Sequence, residues 1–260
     1  MAPPSARAEK EAVPILTYHS LDDSGSVISV SPAAFREHMR SLREDGFTGI
    51  ALGRLLDAWD GGAALPPRPV VLTFDDAYRN LAEAGRPVLE AAGFAATVFA
   101  VAGRCGQTND WPGQLARVPR LPLLSAAELR DLAASGFEIG SHGLTHAALD
   151  GLSAPEAERE VVGSKRALED ALGRPVEVLA YPYGRTSAVV RGLAAEHYRA
   201  SCGVEMGTAR AGHDRHALPR IDVYYLRRPG LFRTLGTPLG RGYLALRGFG
   251  RRLRARARPS

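Results

Sequence analysis

Two histidines stand four residues apart in Ser141-His142-Gly-Leu-Thr-His146, and two aspartates, Asp75-Asp76, directly follow the apolar run Val70-Val-Leu-Thr-Phe74. On one turn of helix, an i, i+4 pair of imidazoles shares a face and can share a metal ion. Adjacent aspartates are common in turns, but at the end of an apolar strand their charge needs something to hold it. Two imidazoles and one carboxylate form a three-ligand set for zinc that leaves a coordination position open, as hydrolytic sites do.

These residues must be brought together by the elements that carry them. Apolar runs at Val13–Tyr18, Phe47–Leu52, Pro69–Phe74, Ala95–Val101, Phe137–Gly140, Val176–Tyr181 and Arg199–Val204 read as strands. Helical stretches separate most of them. Ser31-Pro32 opens the first helix as N-cap and N1, and Ser153-Ala-Pro-Glu156 is a capping box for a long helix reaching about Leu172. Near-continuous apolar strands alternating with helices predict a parallel sheet with helices outside, and about seven such units close into a β/α barrel. An open doubly wound sheet is the alternative, but no G-x-G-x-x-G follows the first strand. In a barrel, chemistry collects at the C-terminal strand ends. Four runs end there in polar groups: Tyr18-His19, Asp75-Asp76, Ser141-His142 and Tyr181-Pro-Tyr-Gly184.

Thr73-Phe-Asp-Asp76, Ser141-His-Gly-Leu-Thr-His146 and Tyr181-Pro-Tyr-Gly184, in this order, resemble the polysaccharide deacetylases of the NodB-homology type, carbohydrate esterase family 4. Pro14-Ile-Leu-Thr-Tyr-His19 and Leu218-Pro-Arg-Ile221 resemble its branch acting on bacterial exopolysaccharides, so the resemblance spans about residues 13 to 223. It implies a distorted seven-stranded β/α barrel and removal of acetyl groups from N-acetylated sugars with zinc or another divalent metal such as cobalt or nickel. It assigns Asp76, His142 and His146 to the metal, Asp75 to the catalytic base, and the Tyr183 N–H to the oxyanion.

Three departures from that pattern stand out. Ala77 occupies the place of the usual glycine after the aspartates. Leu179-Ala-Tyr181 lacks the arginine that orients the base, and Arg220, in Leu-Pro-Arg-Ile at a late strand, is the candidate replacement. The segment that supplies the general acid is not recognisable. His19, at the end of the first strand, is the leading substitute, ahead of His213 and His216 in the loop Gly212-His-Asp-Arg-His216. His38 and His197 read as packing or surface residues within helices. Trp111, in the long loop between Ala102 and Leu124, is either a sugar-stacking indole or a core residue.

The 260 residues are 45% hydrophobic and 23% charged, which excludes disorder throughout, and no apolar run is long enough to span a bilayer. Cys105 and Cys202 fit no metal or redox spacing. The net charge of +5 is unevenly placed: ten arginines and no acid lie from Arg227 onward, leaving a slightly negative body. That balance argues against nucleic acid as a partner. The arrangement predicts a deacetylase domain over residues 11–225 and a basic tail over 226–260, helical or partly disordered, suited to peripheral contact with anionic lipid. The N-terminus has no apolar core of a signal peptide, which predicts the cytoplasm. The expected function is a metal-dependent hydrolase removing N-acetyl groups from a glycan or glycan precursor. An O-acetyl esterase, a small-molecule amidohydrolase and a catalytically silent glycan-binding protein are the alternatives.

Overall fold

The computed structural model describes residues 12–256. The N-terminal stretch read for a leader and the last four residues of the basic tail lie outside them. Seven parallel strands close into a barrel: β1 (Val13–Tyr18), β2 (Pro69–Phe74), β3 (Thr97–Ala100), β4 (Glu138–Ser141), β5 (Val178–Ala180), β6 (Ala200–Met206) and β7 (Leu218–Asp222). Closure is made by β1, which pairs with β2 on one side (Ile15 opposite Val71) and β7 on the other (Leu16 opposite Ile221). The helices α1 (Pro32–Glu44), α2 (Leu52–Trp59), α3 (Arg86–Ala92), α4 (Ala126–Ala134), α5 (Ala154–Glu158), α6 (Ser164–Leu172) and α7 (Ala188–His197) lie between or after the strands.

The seven strands are not quite the seven expected. The run Phe47–Leu52 shortens to a strand at Thr48–Ile50 that pairs only with the first half of β2. Leu52 already begins α2, and its N–H donates to Thr97 Oγ1 at 2.8 Å. From Thr73 onward β2 pairs instead with β3. The seventh stave is β7, the late strand at Leu-Pro-Arg-Ile on which the sequence places Arg220.

Strand side chains alternate between two faces. One apolar cluster, with Val13, Ile15, Val71, Phe99, Val178 and Cys202, fills the barrel; the larger one, with Leu16, Tyr18, Leu72, Val98, Leu179 and Ile221, lies between strands and helices. Continuing the inward parity towards the C-terminal ends gives Thr17, Thr73, Asp75 and Arg220 in place of apolar side chains. The period that builds the core therefore also aims the polar groups into the mouth.

The long helix expected from Ser153 to Leu172 is interrupted. Both halves of the Ser153–Glu156 capping box form, but a π-helical turn at Arg159–Gly163 separates α5 from α6. Such insertions rotate the face a helix presents and recur at functional sites. The basic C-terminal stretch is mainly helical, with a single turn at Pro229–Phe232 and a 19-residue helix, α8, at Pro238–Arg256. Phe232, Leu235 and Leu244 from it join the outer core cluster. Cys105 and Cys202 are free thiols.

Candidate metal centre and active site

Asp75 and Asp76 part company because the backbone turns between them. Asp76 and Ala77 both have positive φ, 69° and 57°, directly after β2. Ala77 thus sits in a left-handed conformation that glycine adopts without strain, which is the physical content of its departure from the family pattern. The turn leaves Asp75 on the inward parity of β2 and swings Asp76 towards the end of β4.

There Asp76 Oδ1 lies 3.5 Å from His142 Nε2 and 3.2 Å from His146 Nε2. The three candidate ligand atoms lie within 4.8 Å of one another and all three residues are buried. Asp76 Oδ1 has no hydrogen-bond partner in this geometry. A buried carboxylate oxygen without a partner is costly, and one cation between these three atoms would satisfy it; the donor set fits a divalent metal of the zinc type. The two histidines do not share a helical turn, contrary to the sequence expectation. His142 ends the inward parity of β4, and His146 returns through a loop in which Gly143 and His146 have φ of 77° and 65°. A helix would have required right-handed dihedrals at both.

The hydrogen bonds behind the ligands suit coordination. His142 Nδ1–H donates to the Ala180 carbonyl at 2.7 Å, which leaves Nε2 as the ligand atom. Burial pushes the His142 imidazole down to about 4, so it is neutral at pH 7. Burial alone would raise the Asp76 carboxyl, but the neighbouring His146 and His142 hold it well below the usual range. His146 is clamped between rings, with Trp111 stacked at 4.1 Å and Tyr183 edge-on at 4.6 Å. Trp111 is only 3% exposed. Of its two sequence readings, the packing residue is the one observed; the indole is spent on His146 and offers no free face for a sugar.

Asp75 meets a different partner. Arg220 Nη1 and Nη2 donate to Asp75 Oδ1 and Oδ2 at 2.7 and 2.8 Å, while its Nε donates to the Gly203 carbonyl at 3.1 Å. Burial would raise the Asp75 pKa, but Arg220, His142 and His19 together keep the carboxyl below its ordinary value. His19 Nε2 stands 3.9 Å from Asp75 Oδ2. Thr17, His19, Asp75, Tyr181, Arg220 and Asp222 line a mouth cavity of about 120 Å³. Tyr183 lies at the rim, 43% exposed, with φ 58°.

The structure does not bring His213 or His216 to this site. After β6 the chain returns along the barrel, since Ala209 pairs antiparallel with Val13 at the start of β1. The loop leading into β7 therefore sits at the opposite, N-terminal end, where His216 Nδ1 is 3.3 Å from Ser201 Oγ.

One residue of the site escaped the sequence reading. Glu160, on the π-helical turn, is buried and accepts from Leu144 N at 2.9 Å, Thr145 N at 3.0 Å and Thr145 Oγ1 at 2.6 Å. It fixes the loop between the two histidines. A buried acid in the middle of a helix is the only sequence signal it leaves.

A barrel with a buried Asp-His-His cluster and a separate arginine-held carboxylate at its mouth defines a hydrolase site of the metal-dependent type. The model of the polysaccharide deacetylase family matches residues 62–200, and the chain belongs to that family, whose activity is hydrolysis of carbon–nitrogen bonds. It is 26% identical over 219 residues to Bacillus subtilis (strain 168) YxkH, named as a polysaccharide deacetylase, covering 84% of this chain and 74% of that one. A 79-residue stretch is 34% identical to the poly-β-1,6-N-acetyl-D-glucosamine N-deacetylase of Escherichia coli (strain K12), covering 29% of this chain and 12% of that protein. In fold it is similar to IcaB from Ammonifex degensii, with a TM-score of 0.73 at 18% identity over 86% of this chain and 98% of that one.

Proposed function

We propose that this protein removes N-acetyl groups from an acetylated glycan or glycan precursor, using zinc or a related divalent ion held by Asp76, His142 and His146. The observation that carries the reading is the division of labour between adjacent carboxylates: Asp76 faces two imidazoles, and Asp75 faces Arg220. A divalent metal there would supply Lewis acidity and lower the pKa of water from about 15.7 to near 7.

The protein's own groups do the rest. Asp75, kept ionised by Arg220, takes the proton from the attacking water. The Tyr183 N–H donates to the oxyanion as the acetamide carbon becomes tetrahedral; one such donor is worth about 3 kcal/mol. His19 gives a proton to the departing amine, which leaves poorly as an anion. A silent glycan-binding protein is the reading suggested by the missing arginine and the unrecognisable general acid; the Arg220 fork on Asp75 weighs against the first of these grounds, and His19 is the residue proposed for the second.

The test is acetate release from N-acetylglucosamine oligomers in the presence of zinc, cobalt or nickel, with a chelated control. Metal-dependent release supports the reading, and its absence on every acetylated glycan tried overturns it. Parallel assay of O-acetyl esters and small acetamides separates an esterase or small-molecule amidohydrolase from a glycan de-N-acetylase.

A further inference from the structure

The ten arginines from Arg227 onward have no role in the site described above. Most of them sit on or beside α8. That helix rests on the barrel by one narrow face: Leu244 is 7% exposed, and Gly248 is so close that a Cβ would lie 3.3 Å from the Met206 carbonyl oxygen. Tyr243 donates to the Tyr225 carbonyl at 3.0 Å. Met206 ends β6 and Tyr225 closely follows β7, so the middle of α8 packs beside these two strands, while Gly236, just before the helix, lies against Phe47 and Arg68 at the N-terminal end of the barrel.

Its other side is apolar and uncovered. Leu239, Leu246 and Phe249 are 73%, 71% and 54% exposed, the most exposed large hydrophobic side chains among the described residues. Spacings of seven and three place them on one stripe. Beside the helix is a depression of about 420 Å³ lined by Tyr224, Tyr225, Tyr243, Arg227, Arg228 and Arg247. The Arg247 guanidinium lies over the Tyr225 and Tyr243 rings at 5.5 and 5.6 Å, and that of Arg227 over Tyr224 at 4.4 Å. Among the described residues, the ion pairs found include no carboxylate with Arg227, Arg228 or Arg247.

We infer that α8 and this arginine–tyrosine depression dock the protein on an anionic phospholipid surface. An amphipathic helix with arginines around an apolar stripe lies in the plane of such an interface, and no described helix is long and apolar enough to cross a membrane. Guanidinium groups without a carboxylate partner, as at Arg227, Arg228 and Arg247, recognise phosphate, and the excess of arginine over acid from Arg227 onward supplies long-range attraction. A soluble polyanion would match the charge but leave Leu239, Leu246 and Phe249 in water, so lipid accounts for both features.

The experiment is sedimentation of the full chain with vesicles of pure phosphatidylcholine or of phosphatidylcholine mixed with phosphatidylglycerol. Light scattering of the protein alone runs alongside. Binding to the mixed vesicles is expected to be at least about tenfold tighter, as expected for electrostatic attraction to anionic lipid. The pairs Leu246→Glu with Phe249→Glu, and Arg227→Gln with Arg228→Gln, should each weaken binding by a similar factor. Circular dichroism melts and bound metal should be unchanged, since all four residues are away from the ligands. Equal binding to both vesicle types overturns the proposal. So does binding that survives Leu246→Glu with Phe249→Glu, which would mark a polyanion patch. A dimer that these two changes dissolve would assign the stripe to a second copy instead.

Discussion

Arg220 grips Asp75 through both oxygens, at 2.7 and 2.8 Å, although the two residues are 145 positions apart and each side chain is only 4% exposed. Two charges in so dry a place are stable only together. Their joining is possible because β7 closes the barrel against β1, so that a strand from the end of the chain faces one from its first third.

Removing one partner should therefore be costly. Arg220→Gln is expected to lower stability by about 3–5 kcal/mol, the usual result of stranding a buried charge. Arg220→Lys, which restores charge but not the fork, should recover part of that loss. Urea unfolding of the three proteins measures the series; equal stabilities would show that the pair contributes nothing.

The two aspartates should separate in a metal assay. Asp75→Asn is expected to retain bound metal and lose turnover, because the amide keeps the shape without the proton acceptor. His142→Ala and His146→Ala should lose metal and activity together, since two protein ligands remain where a hydrolytic site uses three. Mass spectrometry of native protein reads the metal directly. Loss of metal from Asp75→Asn would reverse the roles given to Asp75 and Asp76.

His19→Ala should cut turnover roughly 10²–10⁴-fold, the range for one acid–base group, with metal content unchanged. Esters should suffer less than amides, because an alkoxide leaves with less help than an amine. An equal loss on both substrates would make His19 a pocket-shaping residue.

Glu160 makes three hydrogen bonds to the loop between the metal histidines. Glu160→Ala is expected to weaken metal binding about 10–100-fold, as loss of outer partners commonly does. Glu160→Gln should fall between, because one amide oxygen can accept from only part of the donor set. Isothermal titration with zinc is the measurement, and unaltered affinity would contradict the positioning role.

Far from the metal, His38 stacks on Phe232 at 3.8 Å and faces the Tyr18 hydroxyl at 3.2 Å. Burial pushes its imidazole down to about 4 from 6.5. The unfolded chain therefore binds this proton more readily than the folded one. Stability from this group is complete above pH 6.5 and falls as pH drops towards 4, by about 3 kcal/mol at most. Denaturation at pH 7 and pH 4.5 should show a decline that His38→Gln flattens.

Much of this protein was legible in the chain itself. Apolar runs of strand length and capped helices announced a parallel barrel, because burial on both faces writes itself as local composition. Placing Asp75-Asp76, His142, His19 and Tyr183 at strand ends followed from the same reading. What escaped it depends on ring closure and on turns. The late strand carrying Arg220 is legible in Leu-Pro-Arg-Ile, but that it replaces Thr48–Ile50 as a stave is not, because Leu52 enters a helix and only β7 closes on β1. The left-handed turns at Asp76 and His146, the burial of Trp111 on His146 and the grip of Glu160 on the histidine loop arise from packing between segments distant in sequence. Periodicity records which face of an element is buried; only the closed barrel decides which residues meet there.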